Sequence, residues 1–370
     1  MKRVLTVLIG VGMLSGCTPT SGTHDPADRS REVLDRMVAE GLAVGAQIRV
    51  TRDGRQYTAV AGRTELDGGQ PVPVDGRFRI ASVTKLFTVA VMLQLVGEHR
   101  VELDAPVNRY LPGLLPADRA AITVRMLLQH SSGLAEFADD NPAIPLVGDE
   151  FLRNRLRRVD GQQLAVAAAT RQPLLTPIGS RFNYSNTNYV LAGMVIEAVS
   201  ERRWADEVTD RIIAPLRLIA TSIPGDDTEI ADPHAHGYAL DSNNIPVDVT
   251  ENDTSWSGAA GSMISTTADL DRFLAALTDG TLLRPAEIAE MTHTRPLNDE
   301  DGLGLSVTQT HCGVPVWVKE GSVHGYTTWV FTTLDRTRRA EISFTTRQFP
   351  GPVAQERAAF EAIEDAALCG

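Results

Sequence analysis

Ser82 and Lys85 stand three residues apart in the run Arg79-Ile80-Ala81-Ser82-Val83-Thr84-Lys85-Leu86. On a helix that spacing puts both side chains on one face, within a turn of each other. A serine at a buried helix N-terminus meets a dipole that favours developing negative charge. A lysine held there out of water loses part of its preference for the charged form and can act as a base. Together they describe an activated serine nucleophile.

Lysine usage singles out the same place. The chain has 35 basic residues, and only Lys2, Lys85 and Lys319 are lysine. A coding bias toward arginine explains the excess. It does not explain why one surviving lysine follows a serine by three. Arginine does not give up its proton and lysine does, so a retained lysine marks a position where chemistry needs an amine.

The elements that must position this pair can be read from the pattern around it. Leu86 to Leu95 is apolar almost all round, which predicts a buried helix whose N-terminus is presented to a site. Residues 30–41 read as a helix, and residues 43–50 and 57–62 as a hairpin around Asp53-Gly54. Residues 123–130 form a helix ending at Ser131-Ser132-Gly133. The polar run 177–189 leads into an apolar helix over 190–200, a second polar cluster at a buried helix start. Thr266 caps a helix over 270–277. Strands follow at 303–309, 314–319, 327–333 and 339–346, then a helix over 353–368. This order predicts an α+β fold. An antiparallel sheet built from both chain ends is flanked by helices, with a mainly helical domain inserted between. The boundaries are residues 29–95 and 266–370 for the sheet domain and 96–265 for the insertion.

The chain has 370 residues, 43% hydrophobic and 22% charged, ordinary values for a globular protein. Residues 1–16 read as a signal peptide: Lys2 and Arg3 precede an apolar run too short to span a bilayer permanently. Leu14-Ser15-Gly16-Cys17 has the form of a lipobox, so Cys17 is the expected lipidation site. Residues 17–28 make a polar, flexible tether. Export with a lipid anchor places the protein on the outer face of a bacterial cell membrane. Losing Lys2 and Arg3 takes the net charge from −12 to −14, which argues against nucleic acid as a partner. Cys312 and Cys369 remain, and in an exported chain they are expected to pair. His234-Ala235-His236 lacks a visible third ligand and reads as a surface loop, so no metal is expected. His130 reads as a helix-end residue, not a triad base. No Gly-x-Ser-x-Gly occurs, which argues against an α/β-hydrolase.

At this point the chain resembles the serine β-lactamases and penicillin-recognising D-alanyl-D-alanine carboxypeptidases, nearest their class C-like branch. Three motifs carry the resemblance: Ser82-Val83-Thr84-Lys85, Tyr184-Ser185-Asn186 and Lys319-Glu320-Gly321. Leu127 to Leu134, Gly258-Ala259-Ala260-Gly261 and Gly325-Tyr326 agree as flanks. The resemblance covers residues 30–369 and implies a β-lactamase/transpeptidase-like fold. It implies that Ser82 attacks a carbonyl and forms an acyl-enzyme. Lys85 and Tyr184 share the proton work, and the resemblance leaves open which is the base; Tyr184 can serve if the charges of Lys85 and Lys319 lower its pKa. It implies that Asn186 and Lys319 bind substrate and that the N–H groups of Ser82 and Ser322 form the oxyanion hole. Trp256 is expected as a pocket wall or, equally, a core residue. No cofactor is implied, and a monomer acting on a small molecule or a peptidoglycan peptide is expected.

Two departures bear on the substrate. The third motif's middle position, which helps hold a substrate carboxylate in the carboxypeptidases, is Glu320 here. A carboxylate there is expected to repel an anionic terminus, or instead to pair with Lys319, a cationic substrate group or an arginine. An arginine usual on the preceding strand is replaced by Ser306, with none from 303 to 312. The expected activity is acyl-enzyme hydrolysis of peptide, β-lactam or ester carbonyls. An esterase, a D-amino-acid amidase or a non-catalytic penicillin-binding-type sensor of the same fold are the alternatives.

Overall fold

The computed structural model describes residues 25–139, 141–293, 302–348 and 351–369. The expected signal peptide, Cys17 and residues 17–24 of the tether lie outside them. The remainder of the tether does not stay extended. Asp25 accepts the backbone N–H of Ala27, and Pro26 opens helix α1 (Pro26–Ala39). A carboxylate cap followed by proline at the first helical position starts the helix four residues earlier than its apolar periodicity shows.

From there the chain builds β1 (Ala43–Arg52), β2 (Arg55–Glu65), β3 (Gly68–Pro71) and β4 (Phe78–Arg79). Helices α2 (Thr84–Gly97), α3 (Val124–Leu128), α4 (Gly148–Asn154), α5 (Gly161–Arg171), α6 (Asn186–Ser200) and α7 (Trp204–Val208) follow. Next come β5 (Tyr238–Leu240), β6 (Pro246–Asp248), β7 (Ile264–Ser265), α8 (Thr267–Thr278) and α9 (Pro285–Thr292). The chain closes with β8 (Ser306–Gln309), β9 (Pro315–Val323), β10 (Tyr326–Thr333), β11 (Arg338–Thr346) and α10 (Val353–Leu368).

One antiparallel sheet runs in the order β3-β2-β1-β11-β10-β9-β8, so the first long strand and the last pair at its centre. Alternation along each strand divides the residues between two layers. Ala46, Ile48 and Val50 of β1 face one cluster with Leu34 and Met37 of α1 and Ile363 of α10. The other face packs on a larger core built around α2. Gln47, Arg49 and Thr51 point that way and are bonded to Gly76, Asp75 and Asp271. Buried polar groups on a strand are tolerated when each finds a partner.

Helix α2 is the centre of the larger core. From Thr84 to Leu93 every residue is buried, and Phe87 stacks on Phe273 of α8 with ring centroids 3.8 Å apart. An all-round apolar helix must be enclosed on all sides, which fixes where its first turn can point. Cys312, in the turn between β8 and β9, is bonded to Cys369 at the end of α10 (S–S 2.01 Å, Cα–Cα 6.0 Å). The expected pairing is thus present, and it ties the last helix to the strand pair it covers.

Strand β9 differs from expectation in a way that matters below. It runs to Val323 rather than stopping at Lys319, so Lys319, Glu320 and Gly321 lie inside a strand. Adjacent residues there point to opposite faces.

Glu341 on β11 is an unsatisfied group in the inner layer. It is 0% exposed, and neither carboxylate oxygen has a hydrogen-bond partner among the described residues. The nearby cations are engaged elsewhere, Arg49 with Asp75 and Arg339 with Asp271. Burial, and then Asp271, raise its carboxyl well above the ordinary range. A raised carboxyl binds its proton more tightly folded than unfolded. Stability is therefore lost as pH climbs above the ordinary carboxylate value. Glu341→Gln is expected to raise the thermal midpoint by about 2–4 °C at pH 8, with the gain vanishing toward pH 4. Melting curves at both pH values check this; a gain independent of pH contradicts it.

Candidate active site

Ser82 lies in a 3-10 turn, Ala81–Val83, that runs directly into α2. Ala81 has φ 45°, a conformation costing a residue with a Cβ about 1–3 kcal/mol. Between Ala81 and Leu93 only Ser82 is not fully buried, so the turn lifts one hydroxyl out of the core.

Lys85 is 0% exposed. Its Nζ stands 3.0 Å from Ser82 Oγ, 2.7 Å from Asn186 Oδ1 and 2.7 Å from the Ala260 carbonyl. Each partner arrives from a different element. Asn186 is the first residue of α6. Ala260 ends a 3-10 segment, Ser255–Ala260, that bends at Gly258 (φ 41°, ψ −123°), a geometry suited to glycine. Burial, and then the charge of Lys319, pull the Lys85 amine well below its ordinary value, while Glu136 opposes them. A neutral amine has two N–H donors and one lone pair. In that neutral form, with the two carbonyl oxygens taking the donors, the lone pair is the part of the amine left for Ser82 Oγ.

Tyr184 reaches Ser82 from the other side, its hydroxyl 2.7 Å from Ser82 Oγ. The ring is 41% exposed, yet the hydroxyl is turned inward. Burial raises this phenol far above its ordinary value, and the hydrogen bond with Ser82 only partly offsets that. The sequence-level idea that Lys85 and Lys319 lower the tyrosine is therefore not what this environment favours. Tyr184 is a neutral phenol here. His130 stacks on its ring at 4.4 Å and accepts the Ser185 N–H through Nδ1. Burial, then Lys319 and Lys85, hold His130 well below its ordinary value, so it stays neutral. It sits just past the end of α3 with φ 55°, a helix-end residue that supports the tyrosine.

Glu136 has no local sequence signal and joins the site only in three dimensions. Its carboxylate accepts the backbone N–H groups of Asn186 and Ala138. Burial raises it, and its charge acts on both Lys85 and Tyr184. Its bond to the Asn186 N–H places this acidic group against the Ser82, Lys85 and Asn186 cluster.

Strand β9 closes the site. Lys319 faces inward, with Nζ 5.6 Å from the Tyr184 ring centroid. Gly321 lies against the serine turn: a Cβ there would fall 2.2 Å from the Ile80 carbonyl and 2.9 Å from Ser82 N. Val323 and Tyr326 flank a two-residue turn and exchange hydrogen bonds, so the next pair, Ser322 and Thr327, does not. The Ser322 N–H is left on the strand edge that β8 does not cover. Glu320 points the other way. It pairs with Trp329, which packs on Phe360 of α10, so it lies on the sheet face remote from Tyr184. The expected repulsion of an anionic substrate end by Glu320 thus lacks its geometric basis. Trp256 is also outside the cluster. It packs edge-on against Phe137, 5.9 Å between centroids, and lines a separate cavity of about 510 Å³.

Gly321→Ala is expected to displace the Ser82 turn and lower hydrolysis by at least about 100-fold while leaving the melting curve cooperative. Steady-state kinetics beside calorimetry check this. Full activity would show that the contact does not position Ser82.

A family profile described as Beta-lactamase matches residues 32–366. Penicillin-binding protein 4 of Amycolatopsis lactamdurans is 28% identical over 66% of this chain. The match spans 61% of that protein, and 49% of Protein flp of Staphylococcus aureus strain MW2. A D-stereospecific amidohydrolase from Streptomyces sp. is 34% identical, with TM-score 0.83 over 93% of this chain and 99% of its own. The D-amino acid amidase from Ochrobactrum anthropi SV3 complexed with D-phenylalanine is 26% identical, TM-score 0.79, over 94% and 100% of the two chains. The antiparallel sheet with its flanking helices is therefore a β-lactamase/transpeptidase-like fold, and the chain belongs to the Beta-lactamase family of serine hydrolases.

Proposed function

We propose that this protein hydrolyses amides and esters of amino-acid acyl groups through an acyl-enzyme on Ser82. The carrying observation is the buried Lys85 amine, bonded to two carbonyl oxygens and facing Ser82 Oγ. In this reading Lys85 takes the Ser82 proton as Oγ bonds the substrate carbonyl carbon. The N–H groups of Ser82 and Ser322 hold the oxyanion. The proton passes by way of the Tyr184 hydroxyl to the leaving nitrogen or oxygen, and the C–N or C–O bond breaks. Water then attacks the ester carbonyl, gives its proton back through the same groups, and releases the acid and free Ser82.

Glu136 supports a substrate with a free ammonium near the scissile carbonyl, because a half-buried carboxylate beside the nucleophile favours a cation. Likeness to amidohydrolases acting on D-configured substrates supports the D-amino-acid amide class. Lys319 beside Tyr184 favours a second reading, in which a carboxylate-bearing peptide or penicillin acylates Ser82. The disulfide supports export to an oxidising compartment, where the lipid anchor on Cys17 would hold the protein at the membrane.

Turnover of a p-nitrophenyl ester and of D- and L-phenylalanine amide tests the main reading, with Ser82→Ala as control. Ester and D-amide hydrolysis lost in Ser82→Ala are expected. Equal activity of the variant would exclude a serine acyl-enzyme. An adduct with penicillin and no amide turnover would favour the second reading. Glu136→Gln is expected to lower kcat/KM for the amine-bearing amide by at least about 10-fold more than for an ester without an amine. An equal fall for both would remove Glu136 from substrate recognition.

The charge of Lys319 lowers Lys85. Removing it lets Lys85 keep its proton to higher pH, so the active neutral amine forms later on the pH scale. In Lys319→Met the acid limb of kcat/KM is expected to move to higher pH. A limb that stays or moves to lower pH contradicts Lys85 as the base.

A further inference from the structure

Behind β9, on the face away from Lys319, the sheet and α10 line an open cavity of about 700 Å³. That size suits a small organic ligand. Its helical wall has a repeating pattern. Glu356, Phe360 and Glu364 recur every four residues, so they share one face of α10. The two carboxylates are about 12 Å apart along the helix. Opposite them lie Glu320 of β9 and Trp329 of β10, with the Trp329 and Phe360 rings edge to face at 5.2 Å. Glu361 and Asp365 add further acid, and among the described lining residues the arginine, Arg357, is turned onto Glu361 at 3.1 Å.

Acidic residues clustered on a helix are common and by themselves say little. Glu364 sets this group apart. It is 5% exposed, lines the cavity, and its Oε1 has no hydrogen-bond partner among the described residues. A buried carboxylate oxygen without a donor is costly to keep. The described residues contain no group of three His, Cys, Asp or Glu side chains able to hold a metal ion. Beside the polar stretch Thr308 to His311, the lining carries two aromatic rings between two acidic ends, which suits ammonium groups joined by methylenes.

We propose that this cavity binds an extended aliphatic polyamine. One ammonium lies between Glu356 and Glu320, another between Glu364 and Asp365, and the methylene chain runs over Trp329 and Phe360. The crowding of acids agrees with this. Burial and then Glu320 push Glu356 up, while burial, Asp365 and Glu361 push Glu364 up to about 7. The site is independent of the Ser82 chemistry, since Glu320 and Lys319 leave β9 on opposite faces.

Isothermal titration of the protein with spermidine at pH 8 tests the proposal, beside Glu356→Gln and Glu364→Gln and with MgCl2 at matched ionic strength. Saturable one-to-one binding that survives MgCl2 and weakens at least about 10-fold in each variant is expected. Circular dichroism verifies that the near-isosteric variants are folded. Absence of saturable binding to the wild type, its disappearance in MgCl2, or equal binding by the folded variants would each overturn the assignment.

Discussion

The burial of one amine governs this structure. Lys85 is closed off from water inside an apolar helix, and an ammonium there is costly unless its hydrogens are matched. Two carbonyl oxygens, from Asn186 and Ala260, supply enough acceptors for a neutral amine and leave its third direction to Ser82. Several otherwise unrelated features serve that arrangement. Ala81 takes a left-handed conformation, the 255–260 segment bends at Gly258, and Asn186 is pinned by its own N–H to Glu136. The side chain that activates the serine is therefore fixed by three separate parts of the chain.

The sheet holds those parts in register. Its central pair joins the first long strand to the last, so the core around α2 closes only when both chain ends are in place. Strand β9 then serves two faces. Its odd positions, Lys319 and Gly321, meet the tyrosine and the serine turn; its even position, Glu320, meets the α10 layer. Small side chains at the contact are required because the strand and the Ser82 turn approach backbone to backbone.

Much of this was legible in the sequence because its signals are local. An apolar helix beginning just after Ser82 and a lysine retained three residues on point to Ser82 and Lys85 from the residues themselves, while Tyr184, Asn186 and Lys319 were picked out by their resemblance to the family's second and third motifs. The last helix, residues 353–368, is bounded by proline on one side and cysteine on the other and is read to the residue. Glu136 was not legible, since a lone glutamate between small and aromatic residues has no pattern of its own. The Ala260 carbonyl is backbone and carries no sequence mark. Glu320 was misread because its role was carried over from the middle position of the resembled third motif; inside β9, which runs on to Val323, the pleat turns its side chain to the other face. The tyrosine's proton affinity was misjudged because charges were counted and desolvation was not.

The central claim is that Lys85 is a neutral amine poised on Ser82, and the rarity of lysine makes it directly measurable. With only Lys2, Lys85 and Lys319 in the chain, a spectrum of protein carrying 13C at the lysine ε-carbons resolves individual side chains. The account predicts one resonance, absent from Lys85→Arg, that shows a neutral amine at pH values where the other lysines are charged. A Lys85 resonance titrating at or above the ordinary lysine value would contradict it.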